Sequence, residues 1–253
     1  IKTKFSDKVK DLEASAIREI FKLLDKPGII SFAGGAPDPE LFPCDELSEV
    51  AADVLKNNGK IALQYGVTEG YAPLRDWVKN RLVSQGIIKE NDNNETIIVS
   101  GGQQGIDLAS KSLLNPGDAV VCEQPSFIGG LNCFRSYDAE IYGVKVQSDG
   151  IDMEELEALL KQHSNIKILY TIATFQNPSG ITMSLEKRKK LLELAEQYDF
   201  MIFEDNPYGE LRFAGDDVPT IKSLDTQGRV VYLGSFSKIL SPGIRVGFTS
   251  CDK

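Results

Sequence analysis

At 253 residues, with 42% hydrophobic and 26% charged residues, the chain is long enough to bury a sizeable core as one large domain or two modest ones. A formal net charge of −9, no basic stripe interleaved with aromatics, and no run near the ~18 apolar residues of a membrane span predict neither a nucleic-acid nor a membrane partner. Cys44, Cys122, Cys133 and Cys251 form no CxxC pair and the single histidine, His163, sits in a polar run (161–165) that reads as a helix end, so neither a disulfide framework nor a zinc site is suggested, a Ser/His/Asp triad has almost nothing to work with, and a reducing cytoplasm is the simplest expectation.

In chain order, residues 14–24 read as a short amphipathic helix, and 31–43, with its paired glycines and three prolines, as irregular chain. From about residue 46 the pattern alternates. Helices are predicted at about 45–57, 71–85, 103–114, 153–162 and 185–198. β-Branched runs predict strands at 96–99, 119–122, 140–144, 167–172, 201–204, 229–233 and 245–249. Helices alternating with short apolar runs imply an α/β fold, a mostly parallel sheet with helices on both faces. The chain starts at Ile1 without methionine and stops shortly after the last predicted strand, so a C-terminal portion is expected to be missing.

Ligands of open α/β sheets bind beyond the carboxyl ends of the strands. Four clusters of unusual chemistry fall there: Ser100-Gly-Gly-Gln-Gln-Gly105, Asn177-Pro-Ser-Gly180, Asp205-Asn-Pro-Tyr208 and Ser235-Phe-Ser-Lys238. The first is a glycine-rich turn opening onto a helix, suited to a phosphate but equally to a tight turn with no ligand. Asp205 ends an apolar run, where its carboxylate would seek a cation such as a protonated pyridine, or cap a turn before Pro207. Lys238 is either an ordinary exposed lysine or, in a desolvated electropositive pocket, an amine nucleophile for an aldehyde. Arg245 would supply such a field and a fork for phosphate oxygens, or serve in a structural ion pair.

Six passages, running in order through essentially the whole chain, resemble the class I, fold type I pyridoxal-phosphate aminotransferases. They are Ser31-Phe-Ala-Gly-Gly, Gln64-Tyr-Gly, Gly101-Gly-Gln-Gln-Gly, Phe175-Gln-Asn-Pro-Ser-Gly, Glu204-Asp-Asn-Pro-Tyr-Gly-Glu-Leu and Gly234-Ser-Phe-Ser-Lys-Ile-Leu-Ser-Pro-Gly-Ile-Arg-Val-Gly. Within that family the chain is most similar to the 2-aminoadipate and aromatic aminotransferase group. The resemblance implies pyridoxal 5′-phosphate as cofactor, Lys238 as its Schiff-base lysine and general base, and Asp205 opposite the pyridine nitrogen. Asn177 and Tyr208 would bond the ring hydroxyl. Ser235, Ser237 and Arg245 would hold the phosphate from one side, and Gly102 and Gln103 from the other. Position 102 is more often serine in close relatives, so one hydroxyl contact differs here. Phe127 matches the aromatic that stacks on the ring.

Tyr65 matches a tyrosine that reaches the cofactor phosphate of a neighbouring subunit, which implies a homodimer with shared sites. Gly34 and Gly35 match the loop beside the substrate, with Asn177 also facing it. Ser15 and Arg18 stand where some 2-aminoadipate enzymes meet an acidic side chain. The implied substrates are an amino acid (2-aminoadipate, glutamate, aromatic or similar) and a 2-oxo acid. The implied division is residues 1–45 as an N-terminal segment and 46–253 as the cofactor-binding large domain. The small C-terminal domain that carries the family's carboxylate-binding arginine is absent, so these 253 residues alone are expected to be inactive or crippled. Two alternatives share the fold: a cofactor-sensing domain of a transcription regulator, and a lyase or decarboxylase. A third is a phosphate-binding α/β protein with no Schiff base.

Overall fold

A computed structural model describes residues 35–253. After a 3₁₀ turn at Pro39–Leu41, whose Glu40 amide is capped by Asp38, come helix α1 (Cys44–Ala62), bent at Asn58, and helix α2 (Ala72–Ser84). The sheet has eight strands: β1 (Asn94–Val99), β2 (Ala119–Gln124), β3 (Glu140–Gln147), β4 (Gly150–Ile151), β5 (Ile166–Thr171), β6 (Met201–Asp205), β7 (Val230–Ser235) and β8 (Gly247–Asp252). Their spatial order is β1-β8-β7-β6-β5-β2-β3-β4. The block from β7 to β3 is parallel; β8 runs antiparallel to both its neighbours, and the short β4 folds back on β3. The remaining helices are α3 (Gly102–Leu113), α4 (Ile128–Ser136), α5 (Met153–Gln162), α6 (Leu185–Tyr198) and the single turn α7 (Ile221–Leu224).

Strands covered on both faces should be apolar throughout, with successive residues entering opposite cores. Val121, Leu169, Ile202 and Val230 pack with Leu156 and Leu160 of α5 and Leu191 and Leu194 of α6. Their neighbours Val120, Tyr170, Phe203 and Val231 pack with Ile106 of α3 and Phe134 of α4. A third cluster joins Val78 and Leu82, one turn apart on α2, to Tyr232, Phe236 and Phe248. Helix starts follow from capping: Asp152 accepts from the amides of Glu154 and Glu155 at α5, and Ser184 from Lys187 at α6.

Several strands extend two or three residues beyond their predicted bounds, and other departures have identifiable causes. Helix α4 was not expected, because Gly129 and Gly130 weaken its helical signal; burial of Cys133 and Phe134 overrides that propensity. Helix α1 runs five residues past the expected end, continuing beyond the bend at Asn58. The one-turn α7 and two-residue β4 are too short to carry a period. The last strand starts at Gly247 rather than 245, since Arg245 takes a left-handed backbone (φ 53°) that no strand admits.

Candidate active site

Parallel pairing puts the carboxyl ends of β1, β2, β5, β6 and β7 on one edge of the sheet, and register does the fine placement. Val99, Gly247 and Ser235 lie side by side across β1, β8 and β7. The loops that follow or precede them, 100–103, 235–238 and 245, therefore meet. They border a cavity of about 530 Å³.

Eleven of the residues singled out from sequence line that cavity: Gly35, Gly102, Gln103, Phe127, Asn177, Asp205, Tyr208, Ser235, Ser237, Lys238 and Arg245. Tyr65 does not line it and is 99% exposed, which rules out packing in this chain's core. Ser15, Arg18 and Gly34 lie outside the described residues.

On one wall, Gly101 (φ 81°) is the N-cap of α3 and, as a glycine, brings no side chain to cap the first amides. Only glycine fits there, because a Cβ would also collide with the Arg245 guanidinium. Arg245 donates to the Ser100 and Pro242 carbonyls (3.1 and 3.4 Å) and meets no carboxylate among the described residues. The Ser235 and Ser237 hydroxyls touch at 2.9 Å. The amides at the helix start, a guanidinium with no carboxylate partner among the described residues and two hydroxyls form a donor set for a dianion.

On the floor, Asp205 is 7% exposed, and its one hydrogen bond among the described residues comes from the Tyr170 hydroxyl to Oδ2 (2.7 Å). Burial pushes its carboxyl up to about 6, against the pull of that bond. It caps no turn, contrary to the alternative left open by the sequence. Its neighbour Glu204 faces the other side of the sheet, bonded by the Ile221 and Lys222 amides near the buried Arg188. Two adjacent acids thus have separate tasks: one is tied into the scaffold, the other is buried at the cavity with no cation paired to it among the described residues.

Lys238, half-buried, donates to the Gly35 carbonyl (2.7 Å) and lies 6.0 Å from the Tyr208 ring centre. No carboxylate pairs with it among the described residues, and desolvation holds its amine below the usual lysine range. Asn177 Nδ2 donates to the Tyr208 hydroxyl at 3.3 Å, so the two residues assigned to one ring oxygen are already neighbours. Burial is the main influence raising the Tyr208 hydroxyl, and Asn177 opposes it.

Two further residues organise the edge. Gln176 donates to Glu123 (3.0 Å) and to the Pro125 carbonyl (2.9 Å), and accepts from the Ser179 amide (2.8 Å), tying the loop of Asn177 to the loop of Phe127. Glu123 is 5% exposed and also accepts from Thr171 and the Ile172 amide; burial pushes its carboxyl up. An acid at the end of the apolar run Ala119-Val-Val-Cys-Glu123 was the available signal for it. Gln176 carried none.

The arrangement can grip a phosphate at one end and a cationic ring at the other, with an amine between them. Residues 27–253 match the family Aminotransferase class I and II, and the chain belongs to that family. It is 44% identical to aromatic-amino-acid aminotransferase 1 of Thermococcus litoralis, over 98% of this chain and 60% of that protein. The kynurenine aminotransferase of Pyrococcus horikoshii, solved in complex with PMP, KYN and KYA, superposes with a TM-score of 0.92 at 42% identity, covering 98% of this chain and 62% of that one. LysN, the alpha-aminoadipate aminotransferase of Thermus thermophilus complexed with N-(5′-phosphopyridoxyl)-L-leucine, does so with a TM-score of 0.86 at 39% identity, covering 98% and 61%. The chain thus spans about three fifths of the length of these relatives. Among the described residues no cluster of His, Cys, Asp or Glu is placed to hold a metal, and no helix is long and apolar enough to cross a membrane.

Proposed function

We propose that residues 46–253 are the pyridoxal-phosphate-binding part of an aminotransferase that exchanges an amino group between an amino acid and a 2-oxo acid. The observation that carries this is one cavity that brings together an amine, a buried acid and a helix start beside a guanidinium, none of them in an ion pair among the described residues. These are the complements of an aldehyde, a pyridinium and a phosphate. When bound, the cofactor supplies that aldehyde and a ring that accepts electrons.

The chain's own residues do the rest. Gly102, Gln103, Ser235, Ser237 and Arg245 hold the phosphate. Asp205 pairs with the ring nitrogen and keeps it protonated, the carboxylate being stabilised in turn by the positive ring. Asn177 and Tyr208 bond the ring oxygen, while Phe127 covers one ring face and excludes water. Lys238, with its amine already desolvated, is the nucleophile and then carries the substrate's α-proton. Gly35 lies against the substrate side, where its carbonyl already holds the lysine. Gly34, Ser15 and Arg18 are assigned to the same side by resemblance alone. Substrates of the 2-aminoadipate, kynurenine or aromatic kind are supported by the relatives' names. These 253 residues are expected to bind the cofactor but to transaminate poorly, because the relatives' remaining two fifths are not in them.

A homodimer is part of this reading. Tyr65 is fully exposed in a stretch that also exposes Val50, Val54, Leu55, Ile61, Leu63 and Val67, an apolar surface fit for a second copy. The test of the central claim is the absorbance of purified protein before and after borohydride, followed by peptide mapping. A reduced cofactor on Lys238 is the expected result, and attachment at any other residue overturns it.

A further inference from the structure

Asp205 does not hold its own orientation. Among the described residues its single tether is Tyr170. Register explains the pairing: Tyr170 on β5 lies beside Phe203 on β6, and Asp205 is two residues further along the same face. The tyrosine is fully buried. Its ring stands edge-on to Phe134 at 5.5 Å, and Gly130 makes room for it, since a Cβ there would come within 3.1 Å of the ring. A side chain walled in this way keeps its hydroxyl at one point. The hydroxyl also keeps its proton: burial, and then the Asp205 charge, hold it well above the usual tyrosine range, so it is a donor across the working pH.

We propose that Tyr170 is a positioning residue for the cofactor's ring nitrogen: by occupying Oδ2 it fixes the plane of the Asp205 carboxylate and leaves Oδ1 as the acceptor offered to the cavity. The inference rests on the functional reading above and adds a group that does not touch the cofactor. It also gives Gly130 a purpose, as space for the tyrosine.

The test compares Tyr170→Phe and Asp205→Asn, singly and together, in purified protein. Readouts are the dissociation constant for pyridoxal phosphate and the pH dependence of the bound cofactor's absorbance. A hydrogen bond to a charged group lost without change of shape predicts roughly tenfold weaker binding for Tyr170→Phe and a shifted spectral midpoint. In the Asp205→Asn background Tyr170→Phe should add nothing, because the carboxylate it serves is gone. In cofactor-free protein, carboxyl NMR of Asp205 should show a higher titration midpoint in Tyr170→Phe. An unchanged midpoint, unchanged binding and spectrum, or an equal loss in both backgrounds overturns the inference, the last marking mere packing. Wild-type protein that traps no cofactor on Lys238 overturns the functional reading and the inference together. Trapping in wild type with a silent Tyr170→Phe overturns the inference alone.

Discussion

The carboxyl edge of the sheet and helix α1 treat their side chains in opposite ways. At the edge, Asp205, Asn177, Lys238 and Arg245 each have a hydrogen-bond partner within the described chain. On α1, nineteen residues long, none is buried, and Val50, Val54, Leu55 and Ile61 stand exposed. Such a helix draws little stability from packing on the described residues. The difference teaches that the pocket's cradle is supported from within the described chain, whereas the apolar surface of α1 and Tyr65 draws no such support from the described residues. Either side of that contrast can be broken by substitution.

The largest effect is expected at the amine. Lys238→Ala removes both the nucleophile and the proton carrier, so the whole protein should lose more than about 10⁴-fold in amino-group transfer while still gripping the phosphate. Single-turnover conversion and cofactor binding, measured together, separate the two. Binding that collapses along with turnover would show that the cradle does not stand without its lysine.

Next comes the scaffold beneath the edge. Arg188 is fully buried and donates to the carbonyls of Met183, Pro219 and Ala173 and to the Thr174 hydroxyl, 3.9 Å from Glu204. It therefore anchors both ends of the loop that carries Asn177. Arg188→Met should cost about 3–5 kcal/mol in urea unfolding, because it leaves Glu204 buried without its cation. A loss under about 1 kcal/mol would mean that the edge is held by the sheet alone.

On the other side of the comparison, Val54→Asp places a charge in the exposed apolar surface of α1. If a second copy covers it, the dimer should dissociate roughly 30- to 100-fold more readily, equivalent to about 2–3 kcal/mol, with little change in monomer stability. Analytical ultracentrifugation reads this directly. An unchanged association state removes α1 from the interface.

Much of this was legible in the sequence, for definite reasons. The strand ends carrying Asp205 and Lys238 are marked because polar residues interrupt apolar runs at the point where an α/β sheet binds ligands. Capped, periodic helices such as α5 are likewise visible, with Asp152 before Leu156 and Leu160. Tyr170 was not, because a tyrosine within Ile166-Lys-Ile-Leu-Tyr-Thr171 reads as core and its partner is 35 residues away. Gln176 was hidden similarly: its importance lies in Glu123 and Pro125, more than fifty residues earlier. Arg245 was visible in kind but not in conformation, since one of the two carbonyls its guanidinium reaches, that of Ser100, lies 145 residues away in the chain.

The smallest effect tests whether the edge supported from within is also a strained one. The Asp205 carboxyl sits near 6 in the folded protein against 3.8 in its ordinary state, with burial as the first cause. An acid raised on folding binds its proton more tightly when folded, so stability should fall as pH rises from about 4 to about 6 and stay reduced above that. Asp205→Asn removes the titration. In the cofactor-free protein it should therefore be the more stable form at pH 7–8, by on the order of 2 kcal/mol, with the advantage fading as pH falls from about 6 to about 4. The same variant should bind pyridoxal phosphate more weakly, because the cation that would offset the buried charge no longer has its partner. Urea unfolding across pH 4–8 with and without cofactor measures both signs. Equal stability of the two proteins at every pH would show that the edge carries no such strain, and that Tyr170 alone satisfies the buried acid.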